Sequence, residues 1–158
     1  MKSIFRFGAA ALIAGTTACL ASDDITGDAI PIEKTNFASA LGVDLAASTK
    51  TARGAYYRDI TVGTGAAVAS GDSVFVRYTL WLSNGTLIQT NTAEPQPLPF
   101  KIGVGDVIAG FDETLVGAKV GSVRQLIIPP ALGYGPYDNG PIPGNSVLVF
   151  NVQVVSKK

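Results

Sequence analysis

The chain has few of the side chains that usually carry out acid–base or covalent chemistry. Its 158 residues include no histidine and one cysteine, Cys19. The lack of histidine excludes Ser-His-Asp triads and most catalytic zinc sites, so we expect no metal ion. Asp112 and Glu113 are adjacent and point apart on a helix, which excludes the carboxylate pair of a glycoside hydrolase. Any reaction at this protein must therefore proceed without a histidine base.

A glycine-rich stretch, GVGDVIAG at Gly103–Gly110, superficially suggests a dinucleotide-binding loop. Such a loop needs its third glycine at a fixed spacing so that the backbone can approach a pyrophosphate. Here that glycine is misplaced and Ile108 occupies the required position. We therefore expect no nucleotide and no other cofactor.

Three spaced segments in the second half of the chain combine apolar and aromatic side chains with tyrosine hydroxyls. They are VFVRYT at Val74–Thr79 with an Asn84-Gly85 turn, GVGDVIAGFDETLVGAKVGS at Gly103–Ser122, and IIPPALGYG with PIPGNSVLVF between Ile127 and Phe150. Their order and spacing resemble the FKBP-type peptidyl-prolyl isomerases from about Arg58 to Val155. The resemblance implies that these segments meet at one small pocket suited to a proline ring and the amide before it.

The resemblance also implies individual roles in that pocket. Phe111 is the expected floor under the proline ring, where the family usually has tryptophan, and Tyr134 is expected to donate its hydroxyl to the substrate carbonyl. Tyr78 and Phe150 would line the wall near the rotating carbonyl and complete the catalytic set. The backbone N–H of Ile108 would hold the chain beyond the proline. The other substrate-binding positions are Ile88, Gln89, Leu98, Val107 and Ile142.

Each of these residues also has a simpler interpretation. Tyr78, Ile88, Val107 and Phe150 alone fit an ordinary core, which is the usual place for alternating apolar residues. Tyr134 lies between two glycines and alone fits a turn. Only the joint spacing favours the pocket.

The reaction implied by the resemblance needs no acid, base or nucleophile. Rotation about a peptide bond faces a barrier of ~18–20 kcal/mol from amide resonance. The cis and trans forms of an X-Pro bond have comparable energies, so lowering the barrier is useful by itself. A dry pocket disfavours the polar planar amide, and a fixed donor such as the Tyr134 hydroxyl favours the twisted one.

Two departures from the family pattern affect the rim of the pocket. Gln89 stands where the family has an aspartate, and Ile88 stands where it has an aromatic residue. The arginine that often follows is absent from Asn91–Pro99. We therefore expect a weakened or more apolar-selective site.

Hydrophobic periodicity predicts an α+β fold, with an antiparallel sheet of about five strands curved over one short helix, as in the FKBP family. The helix is expected at Val107–Leu115, ended by Gly117. A second short helix, capped by Thr35 or Asn36, is expected between Thr35 and Leu45. The expected strands are Tyr56–Val62, Ser73–Leu82, Thr86–Thr90, Ser122–Ile128 and Ser146–Val155.

The N-terminal residues have the pattern of an export signal. Lys2 and Arg6 precede a short apolar run, Gly8–Gly15, which is too short to span a bilayer. Cys19 follows small residues, which favours a bacterial lipoprotein with Cys19 lipidated; ordinary cleavage after Ala21 is the alternative. We therefore divide the chain into a signal peptide at 1–18, a lipidated tether and N-terminal extension at 19–51, and an FKBP-like isomerase domain at 52–158.

The leading hypothesis from the sequence is a peptidyl-prolyl cis-trans isomerase that assists folding of exported proteins. The alternative, favoured by Ile88 and Gln89, is a catalytically weak proline-binding or chaperone module on the cell surface. The expected partners are X-Pro segments of unfolded or exported proteins, and macrolide-type ligands. Nucleic acid is excluded because twelve basic and twelve acidic residues cancel without a basic cluster. We expect a monomer, anchored by its lipid to a membrane and facing the periplasm or the cell exterior.

Overall fold

Alternating apolar residues build a seven-stranded antiparallel sheet in the computed structural model, which describes residues 29–158. The strands are β1 (Thr49–Lys50), β2 (Tyr56–Thr61), β3 (Ser73–Leu82), β4 (Leu87–Thr90), β5 (Leu98–Lys101), β6 (Val123–Ile128) and β7 (Leu148–Lys157). Their spatial order is β1-β2-β6-β7-β3-β4, and β5 also pairs with β3. The predicted α+β class and antiparallel sheet are confirmed.

The two strands beyond the expected five are both short and peripheral. β1 has two residues, Thr49 and Lys50, and pairs only with β2. β5 contains Pro99 and pairs with the first half of β3, whose second half pairs with β4. Proline is tolerated in an edge strand because its missing N–H is not needed there. Sequence periodicity does not reveal strands this short, since they have too few residues to show alternation.

The long strand β3 follows the predicted alternation. Val74, Val76 and Leu80 are buried, and β3 pairs along its length with β7. The hairpin turn to β4 uses Gly85 at φ +88°, a backbone conformation that residues other than glycine rarely adopt. The Asn84 side-chain oxygen accepts a hydrogen bond from the Thr86 N–H at 2.9 Å. Local sequence therefore sets both the strand and its turn.

The helix α1 (Ala109–Leu115) begins two residues later than predicted. Ile108 is its N-cap, with an extended ψ of 145°, so Val107 and Ile108 lie before the helix. Gly110 allows close packing, because a Cβ there would lie 2.4 Å from a methyl carbon of Ile128 on β6. Gly117, at φ +81°, lies just after the helix as predicted.

A buried arginine joins the C-terminal end of α1 to the sheet. Arg124 on β6 is 4% exposed and forms two hydrogen bonds with the Asp59 carboxylate, at 2.7 and 2.8 Å. The same guanidinium donates to the backbone carbonyls of Thr114 and Val116 at 2.9 and 3.2 Å. These carbonyls lack partners within the helix, so the arginine satisfies them and fixes the helix across the sheet.

The predicted helix between Thr35 and Leu45 is wrong. The segment instead has one 3-10 turn, Ser39–Leu41, and another, Ile32–Lys34, precedes it. Between them Ala38 is extended, and its N–H donates to the Ser83 carbonyl at 2.8 Å. This contact with the β3–β4 turn replaces the hydrogen bond that a helix would need.

The N-terminal extension packs on the side of the sheet away from α1. Ile32 lies in a second apolar cluster with Tyr56, Ile127 and Val147 of the sheet. Phe37, Val43 and Leu45 pack around this cluster. Since β1 lies at 49–50, the packed structure extends to the N-terminal side of Ala52.

The predicted signal peptide, Cys19 and the first part of the tether lie outside the described residues. Within 29–158, no helix has the length and apolar character needed to cross a membrane. The same residues contain no group of three or more Cys, Asp or Glu side chains placed to hold a metal ion.

Candidate active site

A cavity of about 420 Å³ lies where α1, the sheet and the loop at 131–145 meet. We call this loop the flap. Strands β3, β4, β5 and β7 supply parts of the wall, the N-terminal end of α1 supplies another, and the flap supplies Tyr134. The lining residues are Tyr78, Leu80, Gln89, Leu98, Asp106, Val107, Ile108, Phe111, Tyr134 and Phe150.

Aromatic rings in edge-to-face contact form much of this cavity. The ring of Phe111 lies 5.1 Å from that of Phe150 at 78°, and 6.2 Å from that of Tyr78 at 80°. Tyr78 and Phe150 are themselves 6.2 Å apart. Behind them, Phe100 packs edge-on against Phe111 at 5.6 Å. Edge-to-face packing fixes ring orientations, so Phe111 is held rigidly at the centre of the group.

Two tyrosine hydroxyls give this apolar cavity its polar character. Tyr134 is 39% exposed, and its hydroxyl has no hydrogen-bond partner among residues 29–158. The Tyr78 side chain is half-buried; burial raises its pKa above the ordinary value, and the neighbouring Tyr134 raises it further. Tyr78 therefore stays a neutral phenol at physiological pH. The cavity offers hydroxyl donors without a positive charge.

The N-terminal end of α1 adds a backbone donor. Ile108 precedes the helix, and its carbonyl accepts bonds from the N–H groups of Phe111 and Asp112. Its own N–H donates to no other backbone group within the described part of the chain. An amide N–H in this position is available to a peptide carbonyl in the cavity.

Charge at the cavity is confined to its rim. Asp106 is exposed and accepts a hydrogen bond from the Lys101 N–H at 3.0 Å. Gln89 is exposed at the end of β4 and contributes a neutral amide. Among residues 29–158, no lysine or arginine lines the cavity. The centre of the site is therefore apolar, and it can hold a ring such as proline while excluding water.

Eight of the ten predicted pocket residues come together here, and two do not. Ile88 packs against the apolar core, and its strand neighbour Gln89 reaches the cavity instead. Successive strand residues point to opposite faces, which separates the two. Ile142 is 5% exposed and belongs to the core under the flap, where its backbone pairs with Asn139.

Sequence reasoning missed two lining residues, Leu80 and Asp106. Leu80 lies two residues beyond Tyr78 on the same strand, so period-2 alternation places it on the same face. Asp106 directly precedes Val107 and Ile108, both of which were predicted. Its position next to them was a usable signal.

Comparison with known proteins identifies the family. A model of the FKBP-type peptidyl-prolyl cis-trans isomerases matches residues 65–155, more than half of the chain. The chain belongs to this family. The FK506-binding protein of Neisseria meningitidis serogroup B is 39% identical over 103 residues, covering 65% of this chain and 94% of the relative.

Solved FKBP structures share the fold. The crystal structure of AtFKBP13 superposes with a TM-score of 0.65 at 31% identity, covering 70% of this chain and 98% of that one. The matched FKBP region contains every residue that lines the cavity. Other relatives are much longer: the match to FK506-binding protein 3 of Candida albicans, 42% identical, spans only 26% of its length.

Proposed function

We propose that this FKBP-family chain is a peptidyl-prolyl cis-trans isomerase that acts on X-Pro segments of other proteins. The carrying observation is the group of three rings around Phe111, with the unpartnered hydroxyl of Tyr134 at the same cavity. A proline ring fits the apolar centre, and the amide before it meets donors at the edge. Macrolide-type ligands are a second proposed class for this cavity.

The proposed mechanism uses differential solvation and hydrogen bonding. The planar X-Pro amide is polar, and removing it from water costs more than removing the twisted amide, whose charge separation is smaller. The Tyr134 hydroxyl then stabilises the twisted geometry by donating to the carbonyl, and the Ile108 N–H holds the neighbouring chain. Phe111, Tyr78 and Phe150 exclude water during the rotation.

The direct test is cis-trans exchange of a Leu-Pro or Phe-Pro peptide, measured by NMR line shape or by a protease-coupled assay. The chain from residue 29 is preferred to one from Ala52, because Ile32 and Leu41 are buried against the sheet. We expect acceleration that rises in proportion to protein concentration. An uncatalysed rate in a folded sample would exclude the isomerase function.

The second candidate is a proline-binding or chaperone module with little catalysis. Gln89 favours it, because an exposed amide at the cavity rim lacks the negative field of the carboxylate that the family pattern has there. Peptide binding detected by NMR titration, without accelerated exchange, would support this alternative.

We also propose that the chain is exported and carries a lipid on Cys19, which would place the isomerase outside the cytoplasm to assist exported proteins. Support comes from the sequence alone: a basic start, a short apolar run, small residues and then the single cysteine. Metabolic labelling with a fatty acid should mark the wild type and leave Cys19→Ser unlabelled. A soluble mature protein that begins at Ser22 would show ordinary cleavage instead.

A further inference from the structure

A second cavity, also of about 420 Å³, adjoins the candidate active site. Tyr78, Gln89 and Leu98 line both cavities. The rest of the second wall comes from the connection between β4 and β5: Thr90, Asn91, Glu94, Pro95, Gln96, Pro97 and Pro99. We call it the flanking cavity. Because three wall residues are shared, a peptide longer than the X-Pro pair can extend from one cavity into the other.

Hydrogen bonds hold the loop that forms the flanking cavity. Arg77 donates from one guanidinium nitrogen to the carbonyls of Asn91, Thr92 and Glu94, at 3.2, 3.2 and 2.8 Å. The Asn91 side chain accepts from the Tyr78 N–H at 2.6 Å and donates to the Val76 carbonyl at 3.2 Å. The two loop prolines, Pro95 and Pro97, also restrict the backbone. The cavity is therefore formed before any ligand binds, which reduces the ordering cost of binding.

Three polar side chains of the flanking cavity have no hydrogen-bond partner within residues 29–158. The Glu94 carboxylate forms no ion pair or hydrogen bond within residues 29–158, and the Arg77 guanidinium beneath it bonds to backbone carbonyls instead. The side-chain amides of Gln89 and Gln96 likewise have no partner in that part of the chain. In the described part of the chain no lysine or arginine lines either cavity, whereas Asp106 lines the candidate active site and Glu94 lines the flanking cavity.

We propose that the flanking cavity binds a lysine or arginine side chain of the substrate, next to the X-Pro pair. The aliphatic stem of such a side chain packs on the faces of Pro95 and Pro97, and its charged end reaches the Glu94 carboxylate. The Gln89 and Gln96 amides are placed to bond the peptide backbone. This inference rests on the proposed isomerase function and assigns it a substrate class: X-Pro segments flanked by a basic residue.

The test compares peptides that differ at one position. Acetylated peptides with a central Leu-Pro pair carry Lys, Ala or Glu at each of the three positions on either side, and kcat/KM is measured for each. At one flanking position we expect kcat/KM of the Lys peptide to exceed that of the Ala peptide by about two- to fivefold, which is the effect of an exposed ion pair. The Glu peptide should have a lower kcat/KM than the Ala peptide. This preference should shrink in high salt.

The variant Glu94→Gln should bring the Lys-to-Ala ratio close to one. The matched control is Glu113→Gln, which removes the same charge from a residue that lines neither cavity. This control should leave the Lys-to-Ala ratio of kcat/KM at its wild-type value. A ratio of one at every position in the wild type, or a preference that survives Glu94→Gln, overturns the proposal. If no peptide is isomerised, the isomerase function is wrong. The preference for a basic residue is then tested separately, by comparing the affinities of the Lys and Ala peptides in NMR titrations.

Discussion

At the scale of one residue, the Tyr134 hydroxyl gives the sharpest test of the proposed site. A tyrosine that served only a turn would be expected to bond the chain's own backbone, yet this hydroxyl has no partner within residues 29–158. Tyr134→Phe should therefore leave thermal stability nearly unchanged. It should lower kcat/KM by about fivefold, since a neutral hydrogen bond contributes about 1 kcal/mol. Peptide exchange and thermal melting of the same sample check both expectations.

The control for this substitution is Tyr137→Phe. Tyr137 lies in the same flap, is 80% exposed and does not line the cavity. Tyr137→Phe should change neither kcat/KM nor thermal stability. Equal catalysis by Tyr134→Phe and wild type would remove the hydroxyl from the mechanism.

Gln89 raises a separate question at the same scale, because it lines both cavities and carries no charge. Gln89→Asp restores the residue of the family pattern without changing the size of the side chain greatly. We expect kcat/KM on a Leu-Pro peptide to stay equal or rise, since the proposed mechanism makes Gln89 a rim residue and not a reacting group. Loss of catalysis with an intact fold would contradict this and give Gln89 a direct role.

At the scale of elements, an ionic contact attaches the N-terminal extension to β1 and β2. The Glu33 carboxylate accepts hydrogen bonds from the Lys50 ammonium and the Tyr56 hydroxyl, each at 2.5 Å. The bond from Lys50, followed by that from Tyr56, lowers the pKa of Glu33 from 4.5 to about 2. The same contact raises the pKa of Lys50.

This contact predicts a pH dependence of stability. Since the folded pKa of Glu33 lies below its unfolded value, its stabilisation is complete above about pH 4.5 and is lost as the pH falls towards 2. The difference in free energy of unfolding between wild type and Glu33→Gln should be constant above pH 5 and should shrink as the pH falls from 4.5 through 2. Urea titrations across this range measure it. A difference that does not change with pH would show that the carboxylate charge has no part in the attachment.

At the scale of the whole molecule, the extension and the candidate active site lie on separate parts of the structure. None of residues 29–51 lines the cavity, while Ile32 and Leu41 are buried against the sheet. The buried Gln125 side chain also donates to the Leu41 carbonyl at 2.8 Å. The extension therefore stabilises the fold and does not form part of the site.

Removal of residues 29–51 should therefore lower stability without disabling the site. Burial of a few apolar side chains, offset by the entropy of ordering the segment, gives an expected loss of about 2–4 kcal/mol. The comparison is a chain that begins at residue 29, assayed by urea unfolding and by kcat/KM per folded molecule. Equal stability of the two chains would mean that the extension contributes nothing net.

The sequence by itself determined the features that depend on neighbouring residues. The alternation of β3, the Asn84-Gly85 turn and the helix ended near Gly117 all follow from side-chain period and glycine conformation. The resemblance carried by the three segments also located most of the cavity wall, because those segments hold the family's spacing.

Only the tertiary structure decided the features that depend on distant pairing. Gln89 lines the cavity while its neighbour Ile88 packs on the core, and Ile142 lies in the core, because the pairing of distant strands and the path of the flap set which side chains face the cavity. The extension lost its predicted helix because the Ala38 N–H bonds to Ser83 and its apolar residues meet the sheet across long sequence separations. No local pattern encodes such contacts, since their free energy comes from surfaces that only folding brings together.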